Sequence, residues 1–548
     1  MSPPSSAAKP RPWFFQKLIA PAETAFIAPA LVAWRRTLMV LVVIGLVDSL
    51  LHLHRGIADY FFSRQDLPVA LAMLLLMSGL YLVRPPRALP SLAGWNWRAA
   101  ALMGAAAVAV GWIGAHAVYD GYALSMDEFM AVFDTQIFKA GRLAAEVPQA
   151  WRHFVPALEP RFGLAVPGNA YWVSSYLPVN AAFRALAARV GADYLINPLW
   201  AGVSVLAVYG IARRLWPERP TAALVAAALL ATSPQVLIAA MTPYAMPAHL
   251  ALNLVWLWLV LRGGRLGHGA AAGVAFLATG LHQLVFHPLF AGPFVLELWL
   301  ARRWKPALFH TCAYAVIGAF WAAYPALVLH TLGAGAASAA AAGSTGLLPR
   351  LVSAVTGNEP MAVVLMAKNL VRFVTWQSLL AVPLALVVAR TALRTPGPLR
   401  ALVVGLAATT LAVMVLMAFQ GHGWGYRYLH GLIGSVCLLA AFGWMRLTEG
   451  AQGQPARAQS AVFATALAAS LLILLPWRAW QVHSFVHPYA TAERAVQAMD
   501  ADIVLIDDAP VVYGVDLVRN DPLWTHRPIV LALSALTPAD LAEVCRRG

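Results

Sequence analysis

The sequence predicts an all-helical, polytopic membrane protein, a bundle of about 13 transmembrane helices, with a small α/β domain at its carboxyl end. The chain of 548 residues is 60% hydrophobic and only 11% charged, whereas about a quarter of a soluble domain is charged. Apolar runs near the roughly 20 residues needed to cross a bilayer recur along the whole chain. After residue 480 the pattern changes to short strands and polar helices.

The distribution of Lys and Arg predicts how the chain is oriented and divided. Residues 1–36 form a basic amino-terminal segment without a convincing cleavage site, which we expect to stay in the cytoplasm. Residues 37–480 form the transmembrane domain, with large outer loops at 119–194 and 330–372, and the short outer connections Met241–Pro247 and His282–His287 contain no Lys or Arg. The protein is therefore expected to be a multi-pass plasma (inner) membrane protein whose functional face and carboxyl-terminal domain are extracytoplasmic.

Residues 481–548 are predicted to form the small outer domain. We expect a helix over Glu493–Met499 and two short strands at Ile503–Ile506 and Ile529–Leu533. Thr537 followed by Pro538 is typical of a helix start, with the threonine as N-cap and the proline at the first helical position.

Composition excludes two classes of function. The formal charge of +15 is explained largely by basic cytoplasmic flanks, which suit anionic lipid headgroups, so nucleic-acid binding is not expected. Cys312 and Cys437 lie within apolar runs and Cys545 stands near the end, so the spacing indicates neither a disulfide framework nor a cysteine metal site.

Two adjacent acids, Asp127 and Glu128, follow the apolar run Ala99–Val118 closely. Carboxylates at a membrane surface are costly unless they are hydrated, paired or used, so we interpret Asp127 as a catalytic acid or base and Glu128 as its neighbour in the site. The alternative is a solvated helix start, because acids favour the first turn of a helix. Asp134, one heptad after Asp127, lies on a similar helical face and is the reserve acid.

The segment from Gln420 to His430 is the second distinctive feature. Its glycines allow close backbone approach, its aromatic residues offer stacking surfaces, and Arg427 is a planar cation suited to phosphate oxygens. We expect His422, Tyr426, Arg427 and Tyr428 to bind an anionic lipid phosphate. The alternative is an interfacial aromatic belt with an arginine that reaches the headgroups.

Three further residues on the predicted outer side are candidates. Tyr244 lies in a short turn between prolines, where substrate lining and packing are equally compatible with the sequence. His282 and His287, together with Glu128, are candidates for holding a divalent metal ion, although their spacing matches no specific zinc pattern. A hydrogen-bonded histidine inside the bundle is the alternative for each.

In these features the chain resembles the GT-C glycosyltransferases, especially the branch of protein O-mannosyltransferases and the aminoarabinose transferase of lipid A. The resemblance rests on the acid pair Asp127-Glu128 in the first large outer loop, on amphipathic helices in that loop and on the later turn Tyr426-Arg427-Tyr428. It covers roughly Ala99 to Arg446. Two apolar runs precede the one that leads to the acid pair, where the family usually has one.

The resemblance implies transfer of a sugar from a polyprenyl-phosphate donor to an acceptor hydroxyl on a lipid, glycan or protein, with inversion at the anomeric carbon. Asp127 would be the general base, Glu128 would orient Asp127 or a metal, and Arg427 would stabilise the departing phosphate. The competing classes are a transporter or lipid flippase and a non-catalytic subunit of an envelope-assembly complex. The absence of a clear internal repeat argues against a transporter.

Overall fold

Helices dominate the computed structural model, which describes residues 24–51, 56–84, 97–158, 162–333, 361–510 and 513–547. Most of the predicted outer loop 330–372 and of the basic segment 1–36 lies outside the described residues. In the first part of the chain the helices are α1 (Ala28–Leu51), α2 (Ile57–Phe61), α3 (Leu67–Gly79), α4 (Trp97–Ala117), α5 (Met126–Lys139), α6 (Val155–Leu158), α7 (Val179–Ala188), α8 (Ile196–Leu215), α9 (Pro220–Ala231) and α10 (Pro234–Ala239).

The second part of the chain continues the bundle and ends in a small α/β unit. Its helices are α11 (Met246–Arg262), α12 (Gly264–Thr279), α13 (Phe286–Leu300), α14 (Trp304–Thr331), α15 (Met361–Thr375), α16 (Ala381–Arg394), α17 (Pro398–Leu416), α18 (Ile433–Leu447), α19 (Gln454–Ala469), α20 (Leu475–Gln497) and α21 (Pro538–Cys545). The strands are β1 (Ala145–Glu146), β2 (Tyr171–Trp172), β3 (Ile503–Ile506) and β4 (Ile529–Ala532).

Eight helices within the described ranges are long and apolar enough to cross a membrane, and three shorter apolar helices accompany them. The predicted class, a polytopic helical membrane protein, is confirmed. One of the eight is a continuous 43-residue helix, Pro455–Gln497, in which α19 and α20 are joined by a π-helical turn at Ser470–Leu474. This helix links the bundle directly to the carboxyl-terminal unit.

Small residues let the central helices approach closely. A Cβ on Gly104 of α4 would lie 3.2 Å from the carbonyl oxygen of Gly202 in α8. A Cβ on Gly443 of α18 would lie 2.2 Å from the Leu384 carbonyl oxygen of α16. Such contacts are a main source of helix association in a bilayer, where lipid is as apolar as the side chains.

Buried ion pairs join the first helices to the rest of the bundle. Lys368 of α15 pairs with Asp48 of α1 and with Asp59 of α2. Asp66 pairs with Arg478 of α20 at 3.2 Å. These pairs were not predicted from the sequence, and charges buried in a membrane protein are costly unless they are paired.

The carboxyl-terminal unit packs on the loop that follows α4. Its strands β3 and β4 pair in parallel, Ile503 opposite Ile529. Ile529 and Leu531 share one buried cluster with Phe133 and Ile137 of α5. The predicted strands are confirmed, and Thr537 caps α21 in a capping box with Asp540. The helix predicted at Glu493–Met499 is the end of α20.

Candidate active site

A cavity of about 320 Å³ lies where connections between the helices meet the carboxyl-terminal unit. This volume is within the range of small-ligand sites, about 300–1,000 Å³. Five separate parts of the chain contribute polar or aromatic side chains to its wall: Asp127, Tyr176, His282, His422, Arg427, Tyr428, Tyr513 and Asp516. Two of the residues predicted from sequence, Asp127 and Arg427, are therefore brought together from 300 residues apart.

Asp127 is held by two charge-assisted contacts. Its Oδ2 accepts a hydrogen bond from Nη1 of Arg427 at 2.5 Å, and its Oδ1 accepts one from the Tyr176 hydroxyl. Burial alone raises the pKa of Asp127, but the charge of Arg427, the nearby His282 and the two hydrogen bonds outweigh it and hold the pKa below its usual range. Asp127 is therefore ionised at neutral pH.

Arg427 is buried and held against the same wall. Its Nη2 donates to the backbone carbonyl of Gln420 at 2.5 Å, and its guanidinium lies 5.2 Å from the ring centroid of Tyr244 and 5.4 Å from that of Tyr428. Its Nε is buried and has no hydrogen-bond partner among the described residues. An uncommitted donor on a buried cation beside a cavity is suited to an anionic ligand.

Glu128 points away from Asp127, as neighbours on a helix do. Its carboxylate accepts hydrogen bonds from the Tyr119 hydroxyl and the Leu124 backbone N–H, both at 2.8 Å. Burial raises the pKa of Glu128 to about 8, against the opposing effect of these hydrogen bonds. Trp424 donates to Tyr119 at 2.6 Å, so Glu128 is connected to the Gln420–His430 segment.

The Gln420–His430 segment is locked by its own side-chain and backbone contacts. The Gln420 amide bonds the backbone of Gly425 and Arg427. Gly425 has φ +63°, and a Cβ there would lie 2.4 Å from Cδ of Gln235, which itself donates to the Tyr426 carbonyl at 2.9 Å. Glycine is required at 425 for both conformation and space.

The other predicted binding residues occupy different positions around the site. Tyr428 and His422 line the cavity, and His422 contacts Tyr513 with ring centroids 4.4 Å apart. Tyr244 is behind Arg427, with its hydroxyl 2.8 Å from Ser125 Oγ. Tyr426 is fully buried and contributes its carbonyl to the packing described above.

Asp134 lies two turns along α5 from Asp127, about 10 Å at 1.5 Å per residue. It is buried, and burial raises its pKa to about 7, against a hydrogen bond from Ser174. It is not among the residues that line the 320 Å³ cavity. The structure therefore does not bring the reserve acid to the same wall as Asp127.

The two predicted histidines differ in their surroundings. His282 stacks on Tyr176 with ring centroids 4.1 Å apart, and burial lowers its pKa to about 4. His287, in α13, is bonded at both ring nitrogens, to Asn253 at 2.7 Å and to Tyr314 at 2.8 Å. Within the described ranges, these histidines and Glu128 do not converge as a three-ligand metal group.

A second cavity, of about 220 Å³, lies on the other side of the first loop. Its charged side chains are committed to one another: Arg184 lies 3.4 Å from Asp193, and Arg519 lies 3.7 Å from Glu493. This pairing leaves the 320 Å³ cavity as the better candidate for an anionic ligand.

Sequence reasoning missed Tyr176, Tyr119 and the contribution of Tyr513 and Asp516 to the cavity wall. No local pattern marks Tyr176, because its role depends on a contact with Asp127 across 49 residues.

The helices define the class, a polytopic membrane protein, and the likeness to solved structures is one of fold. The likeness in fold is to ArnT from Cupriavidus metallidurans bound to undecaprenyl phosphate, at a TM-score of 0.50 and 12% identity, covering 77% of this chain and 84% of that one. The apo state of the same protein gives 0.49 at 12% identity over 78% and 84%.

The archaeal oligosaccharyltransferase AglB from Archaeoglobus fulgidus, in complex with an inhibitory peptide and a dolichol-phosphate, gives a TM-score of 0.42 at 14% identity. That match covers 71% of this chain and 56% of AglB. No family model and no curated protein matches the sequence.

Proposed function

We propose that this protein is an integral-membrane glycosyltransferase that moves a sugar from a polyprenyl-phosphate carrier to an acceptor hydroxyl, with inversion, at the extracytoplasmic face. The observation that carries the proposal is the Asp127–Arg427 ion pair on the wall of a ligand-sized cavity. A neighbour in fold is bound to undecaprenyl phosphate, which supports a lipid phosphate as the ligand of Arg427.

The Asp127–Arg427 ion pair is suited to a site whose anionic ligand binds Arg427 in competition with Asp127. In the absence of donor, Arg427 neutralises Asp127 and holds its pKa low, which makes Asp127 a poor base. A phosphate that binds Arg427 competes for the guanidinium and weakens this pairing. Burial raises the pKa of Asp127, and the charge of Arg427 opposes this effect. Once the phosphate shares that charge, the pKa of Asp127 rises. Donor binding would thus activate the base.

The reaction is a single displacement. Asp127 accepts the proton of the acceptor hydroxyl while that oxygen attacks the anomeric carbon, and the bond from this carbon to the phosphate oxygen breaks. The electron pair of the broken bond leaves with the lipid phosphate, whose charge Arg427 stabilises. Glu128 is a positioning residue, which holds the start of α5 through Tyr119 and Leu124.

A reconstituted system tests this function. We would supply polyprenyl-phosphate sugars and measure release of the lipid phosphate by wild type, by Asp127→Asn and by Asp500→Asn, which changes an exposed carboxylate outside the cavity. We expect release by wild type and Asp500→Asn, and a loss of at least about a hundredfold in Asp127→Asn, the range of general base catalysis. Equal release by Asp127→Asn would remove Asp127 from the mechanism.

Release by none of the three with any donor of the panel would contradict the transferase assignment. Transport of the lipid-linked sugar across the vesicle membrane by the same samples would then support the flippase alternative.

A further inference from the structure

A group of metal-ligating side chains lies outside the cavity, where the turn after α4 meets α20. Nδ1 of His487 is 2.7 Å from Oδ2 of Asp120, and Nδ1 of His483 is 3.9 Å from its Oδ1. One ligand atom from each of the three side chains lies within 4.8 Å of the others, and no other group of this kind occurs in the described ranges.

The backbone presents the three side chains to one point. His483 and His487 are four residues apart on α20 and therefore share one face of the helix. Asp120 has φ +53°, a left-handed conformation that aspartate tolerates better than most residues and that places it in a tight turn. Its side chain is only 13% exposed, whereas those of His483 and His487 are 40% and 53% exposed.

A backbone contact also orients one of the rings. Nδ1 of His483 lies 3.2 Å from the carbonyl oxygen of Val118, in the chain just before Asp120. Histidines that bind metals commonly donate one ring N–H to a carbonyl, which fixes the ring and leaves the other nitrogen for the ion.

We propose that Asp120, His483 and His487 bind a divalent transition-metal ion, with Zn²⁺ as the expected ion. Two imidazoles and a carboxylate are the ligands of three-residue zinc sites, in which water takes the fourth position. Imidazole nitrogen also selects against Mg²⁺ and Ca²⁺, which prefer oxygen. The site is distinct from the cavity and does not rest on the proposed transferase function.

Arg494 is the competitor at this site. Its Nη2 lies 3.7 Å from Oδ2 of Asp120, and its side chain is 62% exposed, so it can turn to solvent when a metal ion takes the carboxylate. A bound ion would tie α20 to the turn that leads into α5. Because Asp127 lies seven residues beyond Asp120, the metal would fix the loop that carries the acid pair.

Metal titration of the full-length protein tests the proposal. The protein is purified in detergent without a polyhistidine tag, stripped with EDTA and titrated with Zn²⁺ by calorimetry, and Co²⁺ is added in parallel because its absorption reports the coordination geometry. We expect one ion per chain in wild type. We expect affinity to fall at least about tenfold in His487→Gln and in Asp120→Asn, since even loss of a supporting partner costs 10- to 100-fold.

Two further variants separate a metal site from a local ion pair. His153→Gln changes an exposed histidine that lies 2.7 Å from Asp540 without a second histidine beside it, and it should keep wild-type affinity. Arg494→Gln removes the competing cation and should raise affinity. Zn²⁺ should also raise the melting temperature of wild type but not that of Asp120→Asn, because a ligand stabilises only the state that binds it.

Absence of Zn²⁺ binding to wild type would overturn the proposal. Wild-type affinity in both His487→Gln and Asp120→Asn would overturn it as well, because the ion would then be bound elsewhere. The variants in half-exposed histidines are expected to fold, and a circular-dichroism spectrum without metal checks that they do. If His487→Gln fails this check, His483→Gln takes its place.

Discussion

The Arg427 guanidinium pairs with Asp127 and is the proposed ligand of the lipid phosphate. Arg427→Ala removes the cation and should weaken binding of polyprenyl phosphate by roughly 10- to 100-fold, because a hydrogen bond to a charged group contributes about 1.5–3 kcal/mol. Asp127→Asn removes the competitor for Arg427 and should bind the lipid phosphate at least as tightly as wild type. The shift of melting temperature with added polyprenyl phosphate measures both. Wild-type binding by Arg427→Ala would exclude Arg427 as the phosphate ligand.

Burial of Glu128 makes the stability of the folded protein depend on pH. Its pKa is raised from 4.5 to about 8, so the folded protein keeps a proton that the unfolded chain releases above pH 4.5. Stability from this group therefore falls as pH rises from about 4.5 to 8. Glu128→Gln cannot titrate.

The advantage of wild type over Glu128→Gln should accordingly shrink by several degrees between pH 5 and pH 8, in melting curves recorded across that range. Asp134, with a pKa raised to about 7, acts in the same direction in both proteins and cancels in the difference. A constant difference across this range would show that Glu128 is ionised in the folded protein at pH 5.

At the scale of elements, the Gln420–His430 segment contains two glycines with the same backbone conformation but different amounts of space around them. Gly421 and Gly425 share φ +63°, but a Cβ on Gly421 would lie 3.7 Å from the nearest atom, Cε1 of Phe419, whereas one on Gly425 would lie 2.4 Å from Cδ of Gln235. Alanine at either position has the same conformational cost of about 1 kcal/mol. Only Gly425→Ala must also displace Gln235, which bonds the Tyr426 carbonyl.

We therefore expect Gly425→Ala to lower the melting temperature more than Gly421→Ala does. We also expect it to lower lipid-phosphate release, because a shift of the backbone at residue 425 would displace Arg427, two residues further along the chain. Thermal melts and the release assay on the pair measure this difference. Equal losses in the two variants would mean that the backbone conformation alone, and not the contact with Gln235, is important.

The sequence was sufficient to predict individual helices and strands, but not the contacts between elements that are distant in sequence. A short apolar run was sufficient to predict the strand Ile503–Ile506, and capping signals were sufficient for the start of α21 at Thr537, since both depend on neighbours in sequence. The motif chemistry indicated Asp127 and Arg427 as candidate site residues, an assignment that stays a prediction. Their direct pairing, the bond from Tyr176 and the separation of Glu128 from the cavity depend on contacts between distant segments, which no local pattern records.

At the scale of the whole molecule, buried charges hold the first two helices to the central bundle and the carboxyl-terminal unit to the loop after α4. Lys368 holds α1 and α2 through Asp48 and Asp59. Removing one partner of a buried pair costs more than the pair contributes, because the other charge is left without compensation.

Arg519 has a role in the carboxyl-terminal unit that corresponds to that of Lys368 in the bundle. It donates to the backbone carbonyls of Ala123 and Leu124, and its guanidinium lies 3.9 Å from the ring centroid of Tyr122. These residues immediately precede the acid pair, so the carboxyl-terminal unit holds the loop that positions Asp127.

Arg519→Gln should therefore slow turnover while it leaves lipid-phosphate binding largely intact, because it loosens the base without touching Arg427. Arg527→Gln is the matched control, since Arg527 is 60% exposed and pairs with the exposed Asp502 at 3.6 Å, where an ion pair contributes little. Single-turnover release and lipid-phosphate affinity, measured on both variants, separate the two effects. A parallel loss of affinity in Arg519→Gln would mean that the carboxyl-terminal unit shapes the phosphate site itself, whereas wild-type turnover would show that the loop is positioned by the bundle alone.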